Sequence, residues 1–244
     1  MWDIHWFQVA ALIAGALFAS AVAAVAGFGG AVLLLPVLTW VFGVRDAVPI
    51  LTIAQFVGNG SRVWFNRTDI DRRVVGWYSA GAVPLALLGG VIFAAAPLSW
   101  LTRGVGAFLV GIVVYRRLGG GRYPRCPAHA FAAVGAGASL LSALVGSTGP
   151  VTAPFFLAFG LTRGAYIGTE AAATVITHTF KLAAYGWTSL LSSRVLVTGL
   201  LLAPCMFAGS WAGKRLLDRM SERFFIAMIE TVMAVAGIML IAAA

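Results

Sequence analysis

The run Ala26-Gly27-Phe28-Gly29-Gly30-Ala31, followed by Leu33-Leu34-Leu35-Pro36, sets flexible backbone in the middle of apolar sequence. It occurs again in altered form as Val145-Gly146-Ser147-Thr148-Gly149-Pro150, followed by Ala153-Pro154-Phe155-Phe156. Glycine is favoured where backbone must leave the helical region or come close to a ligand, and proline is tolerated where a helix restarts. Each copy therefore reads as a broken helix. In a bilayer the backbone groups freed by a break are tolerated only where they are buried in protein or line a wet cavity. Two breaks in corresponding places are the sequence sign of a binding site.

Composition gives the surroundings of those breaks. Of 244 residues, 61% are hydrophobic and 10% charged, whereas soluble domains carry about a quarter charged residues. The chain reads as an all-α polytopic membrane protein. Its net charge of +9 would suggest nucleic acid in a soluble chain, but the arginines sit in short loops between apolar runs, where they orient a protein in the bilayer. No nucleic-acid partner is implied. Cys126 lies in a basic loop and Cys205 in an apolar run, so neither a disulfide framework nor a cysteine metal site is supported, and no cofactor is expected.

Working outward from the first break, residues 5–43 form one apolar stretch interrupted at Gly27 to Gly30. As a straight helix it would be about 58 Å long, nearly twice the ~30 Å hydrocarbon core, so a hairpin is expected. With no positive n-region ahead of it, its first part resembles a retained helix more than a cleaved signal peptide. The following apolar segments are 47–65, 74–96 and 99–115. Residues 116–128, rich in Arg and Gly, form the one plausible linker. After it come 129–162 with the second break, then 165–190, 195–213 and 224–243. The expected architecture is a helical bundle of about eight to ten transmembrane segments. Its halves, 1–115 and 129–244, each hold a broken hairpin and three spanning helices.

The halves repeat. Gly27 and Gly146 lie 119 residues apart, as do Gly30 and Gly149, while Pro36 and Pro154, Arg45 and Arg163, and Ala47 and Ala165 lie 118 apart. A return to 119 pairs Asn59 with His178 and Arg62 with Lys181. Arg67, Arg72 and Arg73, then Arg116, Arg117, Arg122 and Arg125, then Lys214, Arg215, Arg219 and Arg223 form three basic loops. If all three are cytoplasmic, corresponding segments cross in opposite senses, so the repeat is inverted and both termini are external.

These paired motifs carry a resemblance over essentially the whole chain. Gly27-Phe28-Gly29-Gly30 with Pro36, Arg45-Asp46-Ala47, the Asn59 helix, Asp69-Ile70-Asp71, Gly146-Ser147-Thr148-Gly149-Pro150 with Pro154-Phe155, and Gly168-Thr169 with Thr174 resemble the TauE/SafE family of sulfite exporters. The resemblance implies a bacterial inner-membrane permease for sulfite or a small sulfonated or sulfur-containing anion. Two departures stand out. The glycine run is cut short at Ala31, and Ser147-Thr148 stand where further glycine is common.

Read without the family, the residues suit an anion. Helices restarting at Gly30 and Gly149 offer unpaired N–H groups and a positive dipole end, with Gly27, Gly29 and Gly146 in the same breaks and hydroxyls from Ser147 and Thr148. Close helix packing is the other use of such glycines. A charge at the bilayer centre costs roughly 2.5–3.5 kcal/mol, which singles out Lys181, with His178 and Thr174 on its helical face. Lys181 is read as a cation facing the cavity, the alternatives being snorkelling or pairing with Glu170 or Glu230. Asn59 joins the candidate site. Gln55, Arg62 and Glu170 are further candidates, although Arg62 also fits the cytoplasmic basic cluster. Glu170 reads as a proton carrier, a partner of Lys181 or an interfacial acid.

An anion leaving an inside-negative cell gains about 2.3 kcal/mol per charge per 100 mV, so an exporter needs no coupling ion. The expected function is export of a small sulfur anion by alternating access. A passive channel and an ion-coupled importer on the same scaffold are the alternatives, and a homodimer is left open. No HExxH, GxSxG or metal-spaced cluster of acids and histidines points to an enzyme.

Overall fold

The computed structural model describes residues 5–97, 126–146, 149–221 and 224, and every regular element among them is helical. The first helix, α1 (Trp6–Ala26), stops where Gly27 takes φ 82° and ψ −18°. That left-handed conformation costs an L-residue with a side chain roughly 1–2 kcal/mol, so the glycine fixes the end of the helix. Gly29, at φ 97°, opens α2 (Gly30–Phe65), whose 36 residues are bent at Gly43, where φ is 73° and ψ 163°. Before the bend, Gly30 packs on Ala19 and Ala23 and the rings of Trp40 and Phe7 lie 6.0 Å apart. The stretch 30–42 thus doubles back along α1. A helix α3 (Arg72–Ala95) follows, capped by Asp71, whose side chain accepts from the N–H groups of Arg73 and Val74.

A single 3₁₀ turn, Ala128–Ala130, leads into α4 (Phe131–Val145). Gly146 ends that helix at φ 81° and ψ −18°, and the chain restarts as α5 (Gly149–Ala158). Gly160, at φ 101°, separates it from α6 (Arg163–Trp187) and α7 (Ser193–Arg219). Four of these helices, α1, α2, α3 and α7, are long and apolar enough to cross a membrane. At 25 residues α6 is comparable in length, but it buries Glu170, His178 and Lys181 within the bundle.

Some expectations require adjustment. The segment 99–115, nearly all of 224–243 and of the linker 116–128, Ser147, Thr148 and Glu230 lie outside the described residues. The third basic stretch is not a loop at Lys214, Arg215 and Arg219: α7 continues through all three. Arg215 lies 3.8 Å from the Trp211 ring centroid, and Lys214 pairs with Asp218 at 2.5 Å. Arg219 lies in the last turn, where a cation suits the negative dipole end, so the basic stretch extends the helix instead of ending it. Arg72 and Arg73 likewise form the first turn of α3.

Small residues hold the bundle together. A Cβ on Gly81 would fall 1.8 Å from the Ala132 carbonyl oxygen, and one on Gly89 2.7 Å from the Ala143 Cβ, so α3 runs parallel to α4 with backbones nearly touching. In the same way Gly209 meets Leu17 and Ser20 while Gly213 meets Ala21 and Ala24, setting α7 parallel to α1. Without a strong hydrophobic drive in lipid, this close approach is what maximises van der Waals contact. Between these pairs, α2 and α6 cross the centre in opposite directions. Val48 of α2 clusters with Tyr185 of α6, and Arg62 near the other end of α2 meets Glu170 near the start of α6.

Candidate functional site

The two breaks meet. Gly149 packs so closely on Phe28, which stands between Gly27 and Gly29, that a Cβ there would fall 2.4 Å from the Phe28 Cβ. Beside this contact is a cavity of about 40 Å³. One water needs ~10–15 Å³ on this measure, so the space holds an ion of a few heavy atoms. From the first break it is lined by Gly27, Phe28, Gly29, Gly30 and Ala31, and from the second by Gly146 and Gly149. Gln55, Asn59 and Arg62 of α2 form one wall, and Glu170, Thr174 and His178 of α6 face them. Ala23 and Ser142 complete the lining.

The polar groups of that cavity are unequally satisfied. Asn59 is engaged at both amide atoms, since its amide nitrogen donates to the Gln55 carbonyl at 2.8 Å and its oxygen accepts from Arg62. Thr174 donates to Glu170 Oε1 at 3.0 Å. By contrast, Gln55 Nε2 and His178 Nδ1 are buried without a hydrogen-bond partner among the described residues, in residues that are each only 4% exposed. Buried nitrogens of this kind are paired in the great majority of proteins, so two in one cavity are an exception that calls for a cause. The start of α2 adds to them, because Gly29 supplies no side-chain cap to the first N–H groups of the helix.

Two buried cations on the central helices perform the same structural task. Arg62 Nη1 donates to the carbonyls of Ala23 and Gly27 at 2.9 and 3.0 Å, at the end of α1, where the Ala23 carbonyl also accepts from the Gly27 N–H. Lys181 Nζ donates to the carbonyl of Ser142 at 2.8 Å and to its hydroxyl at 3.2 Å, at the end of α4. Arg62 and Lys181 lie 119 residues apart, and so do Ala23 and Ser142. A basic side chain on the last carbonyls of a helix is a recognised C-terminal cap.

Lys181 is therefore placed differently from the sequence reading. It is 0% exposed, is not among the residues lining the cavity, and binds Ser142 rather than Glu170. Arg62, which the sequence left balanced between a cytoplasmic basic cluster and the site, is inside the cavity and 3.5 Å from Glu170. Ser147 and Thr148 lie outside the described residues. Ala23, Phe28 and Ser142 were not singled out from sequence. Subtracting 119 from Ser142 gives Ala23, so the repeat itself carried the signal for that pair.

A cap predicts a stability effect without loss of the ligand. Lys181→Met should lower stability by about 1.5–3 kcal/mol, the range for losing hydrogen bonds from a charged donor, the Ser142 carbonyl keeping the Gly146 N–H. Thermal melting in detergent checks it, and any anion that stabilises the parent should still stabilise this variant.

The TauE family model, described as sulfite exporter TauE/SafE, matches residues 12–240. The chain belongs to the TauE/SafE family. No curated protein and no solved structure matches it. TauE/SafE is a transporter family of sulfite and related sulfur anions, and its match here spans both glycine breaks and the cavity between them. The chain is a multi-pass membrane transporter.

Proposed function

We propose that this TauE/SafE protein is an exporter of sulfite or a related small sulfur-containing or sulfonate anion, bound where its two broken helices meet. The observation that carries this reading is the pair of buried, unpartnered nitrogens, Gln55 Nε2 and His178 Nδ1, facing a cavity with the uncapped start of α2. An anion oxygen accepts from the Gln55 amide, from the Nδ1–H tautomer of His178 and from the first N–H groups of α2, whose dipole also favours negative charge. An ion of a few heavy atoms suits the volume.

Internal correspondences support alternating access by two inverted halves, residues 1–115 and 129–244. Gly27 and Gly146 share one backbone conformation, Arg62 and Lys181 cap equivalent carbonyls, and α3 lies on α4 as α7 lies on α1. Arg45 donates to the Ala94 carbonyl in the last turn of α3, and Arg163 to that of Asp218 in the last turn of α7. Antiparallel α2 and α6 are what a two-fold axis in the membrane plane produces. Rocking of one half about this junction exposes the cavity to each side in turn. Inside-negative potential draws the anion outward, across a bacterial inner membrane with both termini external.

Gln55→Leu separates this reading from a structural role. Replacing an unpaired buried amide with an apolar side chain should leave the melting temperature equal or higher. A sulfur oxyanion at 100 times its Kd should stabilise the parent by about 2.7 kcal/mol, and the variant should lose most of that response. A variant that responds to sulfite, thiosulfate and methanesulfonate as fully as the parent contradicts the reading.

A further inference from the structure

The Arg62–Glu170 pair is asymmetric within a symmetric setting. Arg62 and Lys181 perform the same capping task, yet among the described residues no carboxylate pairs with Lys181. The positions 119 and 118 residues before Glu170 are Leu51 and Thr52, both buried and neither an acid. A cap of this kind is thus complete without an acid, and the stability of the break does not account for Glu170.

Nor is Glu170 held as a dedicated counter-ion. Arg62 spends its short hydrogen bonds on Ala23, Gly27 and Asn59, and its contact with Glu170 Oε2 is long, at 3.5 Å. The carboxyl, with a side chain 7% exposed, has one close donor, Thr174. It lines the cavity beside Gln55 and His178. The charged and titratable groups around it are Arg62 on α2, Tyr78 on α3, and Tyr166 and His178 on its own helix, with Lys181 behind the Ser142 cap.

We propose that Glu170 is a proton-binding site coupled to anion binding: the cavity accepts its anion when Glu170 is neutral, and each anion enters with one proton. This rests on the anion-site reading above. With Glu170 ionised, the pair contributes no net charge and an incoming anion meets a carboxylate. With Glu170 protonated, the positive charge of Arg62 is uncompensated and the carboxyl O–H becomes a donor toward the anion. Two like charges in one small site cannot both be comfortably ionised, so the anion itself draws the proton in. The proton comes from solvent and stays on the Glu170 carboxyl while the anion is bound. A dianion leaving with this proton still carries one negative charge outward, so the membrane potential continues to favour export.

The test uses the purified full-length protein with thiosulfate, an anion that brings no proton of its own near neutral pH. Proton uptake is read with an indicator dye in weakly buffered solution free of sulfonate buffers, and binding by the shift in melting temperature. The expected result for the parent is uptake of about one proton per thiosulfate bound. Its affinity should fall by about tenfold per pH unit on the alkaline side, as linkage of one proton to one ligand requires. Glu170→Gln should bind thiosulfate with no proton uptake and with affinity independent of pH. Binding by the parent without proton uptake, or uptake undiminished in Glu170→Gln, overturns the proposal and leaves the anion site standing; the second outcome transfers the proton to His178. Should Glu170→Gln fail to fold, binding by the parent without proton uptake still overturns the proposal, and His178→Gln takes the variant's place: uptake that persists in it supports Glu170, and uptake lost in it overturns the assignment to Glu170. Failure of the parent to bind thiosulfate, sulfite or methanesulfonate overturns the site reading and the proposal with it.

Discussion

Arg62→Ala is expected to destabilise the protein by about 3–5 kcal/mol, the range for breaking a buried pair by removing one partner, and to abolish anion transport. Three losses combine at this position. The Gly27 carbonyl loses its Arg62 donor and the Ala23 carbonyl keeps only the Gly27 N–H, Asn59 loses the partner of its amide oxygen, and Glu170 keeps a buried carboxyl whose remaining hydrogen-bond donor among the described residues is Thr174. Glu170→Gln in the same chain should recover part of the loss, because a neutral amide leaves no uncompensated charge. Thermal melting of the parent, both single variants and the double variant gives the coupling between the two residues. Arg62→Ala melting within a degree of the parent would contradict the cap and the pair together.

The second large effect is expected at Gly27. A Cβ there would fall 2.2 Å from Cε1 of the fully buried Tyr166 ring, and the residue holds φ 82°. Gly27→Ala therefore combines left-handed strain of roughly 1–2 kcal/mol with overpacking of typically 1–3 kcal/mol. Gly146 offers an internal control. It has nearly the same φ, but its nearest neighbour to an added Cβ is a Leu51 methyl at 3.3 Å, so Gly146→Ala should cost little beyond the backbone strain. Melting curves that order the variants parent, Gly146→Ala, Gly27→Ala from most to least stable agree with this packing. The reverse order would mean that Tyr166 yields easily and that the first break is the looser one.

Both expectations rest on a feature that was half legible in the sequence. Glycine runs inside apolar sequence marked the breaks, because only a residue without Cβ takes φ near 80° at no steric cost. The membrane class followed from composition alone. Asn59, Thr174 and His178 reached the cavity wall because polar side chains in apolar helices need a place to face. What the sequence concealed was the division of labour among the charges. Lys181 drew attention as a deep cation, yet the carbonyl and hydroxyl of Ser142 take it out of the cavity. Arg62 stood close enough to Arg67, Arg72 and Arg73 to pass for one of a cytoplasmic cluster, while the last carbonyls of α1, Ala23 and Gly27, pull it inward. Which acceptor claims a long basic side chain depends on helix ends that become neighbours only in three dimensions. The continuation of α7 past 213 was hidden for a related reason, since cations at a helix end and cations in a loop read alike.

The most direct test of the anion site is to locate the anion. Structure determination of the purified protein with selenite, the heavier analogue of sulfite, allows the selenium to be found by its anomalous scattering. The account predicts one ordered selenium in the cavity between the two breaks, its oxygens within hydrogen-bond reach of Gln55 Nε2, His178 Nδ1 and the first N–H groups of α2. Selenium bound only at surface arginines, with Gln55 and His178 still unpartnered beside an anion-free cavity, would contradict it.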